Sequence, residues 1–161
     1  MIVSHELLLR KATDEDEDFI LDALAESAHL TFPEWRRKGI SVEILRDRER
    51  GSLARFHNTG KAAEDLFIAE VGDERVGMLW LTAELEGHDR EKVAWVLGIY
   101  VVEDERGQGY GGELMKRAES WARAHHLGEV WLRVGADNER ALDLYDSAGY
   151  TAEDIHLAKR V

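Results

Sequence analysis

The residues best suited to chemistry in this sequence are Arg106, Gly107, Gln108, Gly109, Tyr110, Gly111 and Gly112. They stand between an apolar run, Val93 to Val102, and a helical pattern, Glu113 to His125. A strand that passes through glycines into a helix exposes bare backbone N–H groups and the positive end of the helix dipole, and both attract an anion. Four glycines in six positions also let a ligand approach the main chain, because no Cβ intervenes and positive φ is tolerated. Such a phosphate cradle suits a dinucleotide, a mononucleotide or coenzyme A.

Two of these ligands fail on detail. A mononucleotide P-loop needs Lys and then Ser or Thr after its last glycine, so that an ammonium meets the β- and γ-phosphates and a hydroxyl holds magnesium. Here Gly112 is followed by Glu113 and Leu114. A dinucleotide fingerprint belongs in the first strand-helix unit, with an acid about 20 residues on to hold the ribose. This loop comes late, after a predicted antiparallel hairpin.

The elements that position the cradle follow from periodicity. Leu7 to Leu9 reads as a short strand, and Thr13 with Asp16 resembles a capping box for a helix bearing Ile20, Leu24 and Ala28. The acids from Asp14 to Asp18 then serve the helix dipole. Pro33 breaks the pattern, and Ser41 caps a second helix through about Phe56, whose charges from Arg46 to Arg50 alternate as on a solvated face. Leu66 to Val71 and Arg75 to Leu85 form a hairpin about Gly72-Asp73-Glu74, and Gly87-His88-Asp89 is a second turn. Val93 to Val102 is a central strand.

After the cradle, Leu114, Ala118, Trp121, Ala122 and His125 share a helical stripe that Gly128 stops. Glu129 to Val134 is a short buried strand. Asn138 caps a last helix with Ala141, Leu142, Leu144, Tyr145 and Ala148, closed by Gly149, and Ile155 to Lys159 suits a final strand. The fold class is therefore α/β, with a mixed sheet covered by helices.

Composition narrows the partners. With 33 acidic against 21 basic residues in 161, a formal charge of −12, there is no surplus positive field for nucleic acid or an anionic membrane, and a cation is the better guest. The absence of cysteine removes disulfides, thiolate metal sites and a cysteine nucleophile. Seven histidines show no ligand spacing beyond adjacent His125 and His126, which point about 100° apart on a helix, so no metal is expected. No secretory segment or membrane span is evident, which predicts one cytoplasmic domain over residues 1–161.

Ile99-Tyr100-Val101 followed by Arg106-Gly107-Gln108-Gly109-Tyr110-Gly111 resembles the central motif of the GNAT superfamily of acyl-CoA-dependent N-acyltransferases. Asn138, Ala141, Leu144-Tyr145 and Gly149-Tyr150 resemble that family's later signature at the right separation. The resemblance implies a GNAT-like, mostly antiparallel sheet flanked by about four helices, with acetyl-CoA as co-substrate and no metal. It implies a pyrophosphate on the N–H groups of Gly107 to Gly112, a pantetheine arm paired with Ile99, Tyr100 and Val101, and cofactor contacts from Arg106, Gln108, Tyr110 and Asn138.

The reaction so implied is attack of a primary amine, from a small molecule or a protein, on a thioester. The Ile99 N–H would stabilise the oxyanion. Tyr145, seven residues after Asn138 and on the same helical face, is the candidate general acid for the thiolate. Some family members carry a basic glutamate eleven residues before the Arg106 position; here that position is Trp95, so Glu84, Glu86 or a water relay must substitute. Trp35, Trp80, Trp95 and Glu84 are candidate acceptor-site residues, the tryptophans through cation–π contact. A silent acyl-CoA-binding sensor is the competing expectation, and a homodimer is common in such families.

Overall fold

The computed structural model describes residues 6–59, 63–85 and 91–161. Five strands form one sheet in the order β1 (Leu7–Lys11), β2 (Glu64–Val71), β3 (Glu74–Leu85), β4 (Lys92–Val101) and β5 (Val130–Trp131). The first four are antiparallel neighbours, while β5 joins β4 in parallel. The described residues also form helices α1 (Glu17–Thr31), α2 (Glu34–Arg37), α3 (Val42–Thr59), α4 (Tyr110–Ala124) and α5 (Glu139–Ser147). The mixed, mostly antiparallel α/β class stands as the sequence predicts. One helix is added: α2, a single turn begun by Pro33, whose carbonyl accepts the Arg36 and Arg37 N–H groups. None of the helices is long and apolar enough to cross a membrane.

Strand alternation builds two cores. Leu66, Ile68, Met78 and Trp80 meet Ile20, Leu21 and Leu24 of α1 and Leu53 of α3 on one face. On the other, Phe67, Leu79, Leu81 and Val96 meet Leu114, Ala118, Trp121 and Ala122 of α4. Each of the larger aliphatic side chains, fully withdrawn from water, contributes roughly 1.5–3 kcal/mol.

Four details differ from expectation. The stop after α4 is His126, not Gly128: His126 takes φ of 58°, and the Leu127 N–H returns to the Ala122 carbonyl. The strand expected over 129–134 shrinks to two residues, because after Trp131 the chain leaves β4. The strand expected over 155–159 does not form; residues 151–161 have no regular structure and lie exposed. The 46–50 stretch is not wholly a solvated face, because the Glu49 side chain is only 13% exposed. Glu49 falls midway between buried Leu45 and Leu53, four residues from each, so helical periodicity turns it inward. The turn expected at Gly87-His88-Asp89 lies outside the described residues.

The acid run before α1 also does more than serve a dipole. Asp16 is wholly buried; its carboxylate accepts from Arg10 (2.7 and 2.9 Å), Arg75 (2.6 Å) and the Thr13 N–H (2.8 Å). Arg10 in turn reaches Glu70 (2.9 Å), so one carboxylate ties β1, β2 and β3 to the start of α1. The Arg10 hydrogen bonds hold the Asp16 carboxyl well below the usual range against the upward push of burial, with Thr13 and Arg75 adding to them. A depressed native pKa means that this stabilisation is complete above about pH 4 and is lost as pH falls through the native value. Asp16→Ala is expected to lower the unfolding free energy by about 2 kcal/mol near neutral pH. In urea titrations the gap from wild type should narrow below about pH 4; a gap independent of pH would contradict this role.

Candidate active site

The site begins with an irregularity in β4. Trp80 of β3 faces Gly98, yet Leu81 faces Val96, so Leu97 is an extra residue, a β-bulge. Its consequence is visible in two hydrogen bonds. The Ala94 N–H points to β5, reaching the Glu129 carbonyl at 3.0 Å, whereas the Val102 N–H points to β3, reaching the Val76 carbonyl at 2.9 Å. In a regular strand two even-numbered residues would direct their amides to the same edge; the bulge reverses the parity. Past Leu97 the odd residues Ile99 and Val101 therefore turn their amides away from β3, toward the edge that β5 has already left.

Only Ala94 and Trp95 pair with β5, at Val130 and Trp131. Beyond them the two strands part, and a cavity of about 730 Å³ opens between residues 96–101 and 132–135. Ser27 Oγ donates to the Ile99 carbonyl (3.2 Å) and Arg106 Nε to the Val101 carbonyl (2.8 Å), which places both carbonyls on the outward edge as the parity requires. The Tyr100 side chain turns instead to α1, where its hydroxyl donates to Glu26 at 2.7 Å. Burial, then Glu26, pushes the Tyr100 phenol up.

The cradle lies at the end of this cleft. Gly107 and Gly109 adopt φ of 84° and 88°, left-handed conformations that turn the chain from β4 into α4. The first bond of α4 joins the Glu113 N–H to the Gly109 carbonyl (3.2 Å), leaving the Tyr110, Gly111 and Gly112 N–H groups without an intrahelical acceptor. Gly111 has a packing reason: a Cβ there would stand 3.0 Å from Leu144, so it sets how closely α5 approaches α4. At Gly112 a Cβ would meet nothing within 4 Å. Gln108 is exposed and does not line the cavity.

Tyr145 and Asn138 line the same cavity from α5. Asn138 caps that helix, accepting the Ala141 N–H at 3.3 Å. Tyr145 is 9% exposed, and burial pushes its phenol up to about 12. Across the ligand-facing walls Arg48, Arg106, Arg133 and Arg140 outnumber Glu49, Glu105 and Asp143, a local positive balance in an acidic chain.

The predicted acceptor residues separate. Trp80 and Glu84 line a second cavity of about 410 Å³ that shares Leu24, Glu49 and Leu97 with the first. Trp95 lines neither; it packs edge to face on Trp131 (6.0 Å) beneath Arg133 (5.5 Å). Trp35 lines neither, lying half exposed against Arg36 (4.4 Å) and Arg160 (5.1 Å). Glu86 lies outside the described residues. Sequence reasoning missed Glu49, though its place between Leu45 and Leu53 on the buried stripe was a usable signal. It also missed Ser27, whose contact with Ile99 spans 72 residues and leaves no local trace.

The family model of the Acetyltransferase (GNAT) family matches residues 43–150, from α3 through the cradle to the end of α5. This chain belongs to the GNAT family. The GNAT chain is 31% identical over 86 residues to the uncharacterized N-acetyltransferase YycN of Bacillus subtilis, covering 53% of this chain and 54% of that one. It is 29% identical over 118 residues to a mycothiol acetyltransferase of Streptomyces griseus, covering 70% of this chain and 37% of that one. It thus spans about half the length, or less, of these curated relatives. The fold superposes on a provisionally assigned acetyl transferase of Pyrococcus furiosus with a TM-score of 0.75 and 27% identity, over 97% of this chain and 100% of that one. The GNAT chain thus shares its fold with that protein.

The glycine turn of this GNAT protein supplies a direct test. Valine at position 109 is barred from φ near 88° by its branched Cβ, at a cost of roughly 1–2 kcal/mol or more. Gly109→Val is expected to weaken acyl-CoA binding about tenfold in calorimetry. Unchanged affinity would place the cofactor phosphates away from this turn.

Proposed function

We propose that this protein transfers an acetyl group from acetyl-CoA to a primary amine within a ternary complex. One observation carries the reading: the outward edge of β4 at Ile99 and Val101, the left-handed glycine turn and Tyr145 all border a single cavity of about 730 Å³. The cavity has the size and local charge for a long polyanionic co-substrate. Acetyl-CoA, when bound, supplies a thioester carbonyl as electrophile and a thiolate as leaving group.

The chain's own groups have separable tasks. The Tyr110, Gly111 and Gly112 N–H groups, at the positive end of α4, hold the pyrophosphate. The amides on the outward edge of β4 pair with the pantetheine arm, and the Ile99 N–H stabilises the oxyanion that forms when the amine attacks. Glu49, on the wall between the two cavities, takes the proton that the ammonium must lose. Tyr145 hydrogen-bonds the departing sulfur. A phenol near 12 lies about 3.5 units above a thiol near 8.5, so full proton transfer before the carbon–sulfur bond weakens is uphill by roughly 5 kcal/mol. Tyr145 therefore acts first as a donor to the charge growing on sulfur. A direct attack suits a chain with no cysteine.

Coenzyme A release with a panel of primary amines tests this assignment. Tyr145→Phe is expected to lower kcat about 100-fold while changing acetyl-CoA affinity less than about threefold. Equal turnover would remove Tyr145 from the reaction, and acetyl-CoA binding without turnover on any amine would mark a silent acyl-CoA-binding module. A tyrosine loses its proton as pH rises through its pKa, so a value near 12 keeps Tyr145 a donor well past the ordinary phenol value. At saturating amine, kcat is expected to show no fall between about pH 8 and 10. A descending limb with a pKa near 9 would contradict it.

A further inference from the structure

A ring stands behind the cation at the mouth of the cradle. Tyr100 turns its side chain to the α1 face of the sheet, where it packs beside the core of that face and edge to face with Phe19 at 6.5 Å. Two neighbours on α1 reach two neighbours on β4. The Tyr100 hydroxyl donates to Glu26 at 2.7 Å, and Ser27 Oγ donates to the Ile99 carbonyl at 3.2 Å. The Tyr100 ring is therefore fixed both along its body and at its polar tip.

Arg106 lies over that ring. The centre of its guanidinium stands 5.7 Å from the Tyr100 ring centroid, and its Nε donates to the Val101 carbonyl at 2.8 Å. Among the described residues Arg106 forms no ion pair, although Glu103, Asp104 and Glu105 come just before it in the chain. A long cation beside three acids is commonly drawn to one of them; here a carbonyl and an aromatic face hold it instead. Burial, then Glu26, pushes the Tyr100 phenol up, and Arg106 works against both, as a cation close to the ring must. No carboxylate engages the Nη groups, and Arg106 shares the wall of the larger cavity with Gly107 and Gly109.

We propose that Tyr100 is a positioning residue for the co-substrate: backed by Glu26, it holds the Arg106 guanidinium at the glycine turn, where the cation meets the pyrophosphate. The inference rests on the reading that coenzyme A phosphates lie on this turn, and it names the side chains that aim a charge at them. Held in advance, Arg106 gives up less conformational freedom when the anion arrives. A phenol that donates to a carboxylate carries more electron density in its ring, so Glu26 strengthens the hold of Tyr100 on the cation. A carboxylate in place of the ring would fix Arg106 as firmly but would cancel the charge that the phosphates need.

A double-mutant cycle read by calorimetric titration with coenzyme A tests this. Arg106→Gln and Tyr100→Leu are each expected to weaken binding about tenfold, while Tyr100→Leu in the Arg106→Gln background costs less than about twofold more. Tyr100→Phe and Glu26→Ala keep the ring and lose its anchor, and each is expected to weaken binding about threefold. Between about 0.05 and 0.5 M NaCl the affinity of the wild type should fall more steeply than that of Tyr100→Leu or Arg106→Gln, because both variants lose a charge contact with the ligand. Additive losses overturn the proposal, as does a salt dependence that Tyr100→Leu leaves as steep as in the wild type. Wild-type affinity in Glu26→Ala also overturns it, and that substitution lies at an exposed position outside the core. Wild-type binding separates the two readings: no affinity for coenzyme A sinks the co-substrate and this role with it, whereas binding that these variants leave intact sinks only the role of Tyr100.

Discussion

One extra residue in β4 governs this molecule. Leu97 interrupts the ladder with β3, and every backbone amide beyond it points to the edge opposite the one that regular pairing would choose. Because β5 pairs with β4 at only Ala94 and Trp95, the amides of Ile99 and Val101, turned away from β3, find no neighbouring strand among the described residues. A sheet edge inside a protein is normally covered or paired, since buried N–H and C=O groups are costly to leave unmet. Here Ser27 and Arg106 meet the two carbonyls, and the edge at Ile99 and Val101 borders the larger cavity.

The rest of the fold holds that edge open. The two cores clamp the antiparallel strands from both faces, so the bulge sits on a rigid support rather than in a loop. At the far end the glycine turn redirects the chain, and the contact of Gly111 with Leu144 brings α5, and with it Tyr145, to the cleft. On the opposite flank, Asp16 joins the first three strands to α1 through two arginines. The same α1 carries Ser27 and Leu24, which touch the cleft and the second cavity. Support and site are one continuous arrangement.

Charge is divided along the same lines. The chain is acidic as a whole, yet the larger cavity gathers four arginines and a helix N-terminus, while the smaller gathers three glutamates around aromatic rings. Leu24, Glu49 and Leu97 line both spaces. Net charge alone describes neither space, because local fields at these distances depend on which side chains converge.

The order of residues by itself determined whatever depends on local chemistry. A glycine run between an apolar strand and a helix specifies a left-handed turn and free helical amides, and Asn138 to Tyr145 specifies a capped helix with two groups on one face. Periodicity likewise marked most strands and helices. What only the tertiary structure decided is everything that depends on convergence. That Leu97 is a bulge follows from register against β3, and that the expected 129–134 strand is two residues long follows from where β4 and β5 part. Trp80 lines a cavity with Glu84 while Trp95 and Trp35 line neither cavity, although the three tryptophans look alike as isolated residues. Glu49 looked solvated among alternating charges until packing showed which face of its helix was buried. Local pattern is written in spacing along the chain, whereas a site is written in distances across it, and those are set only when the sheet and helices pack.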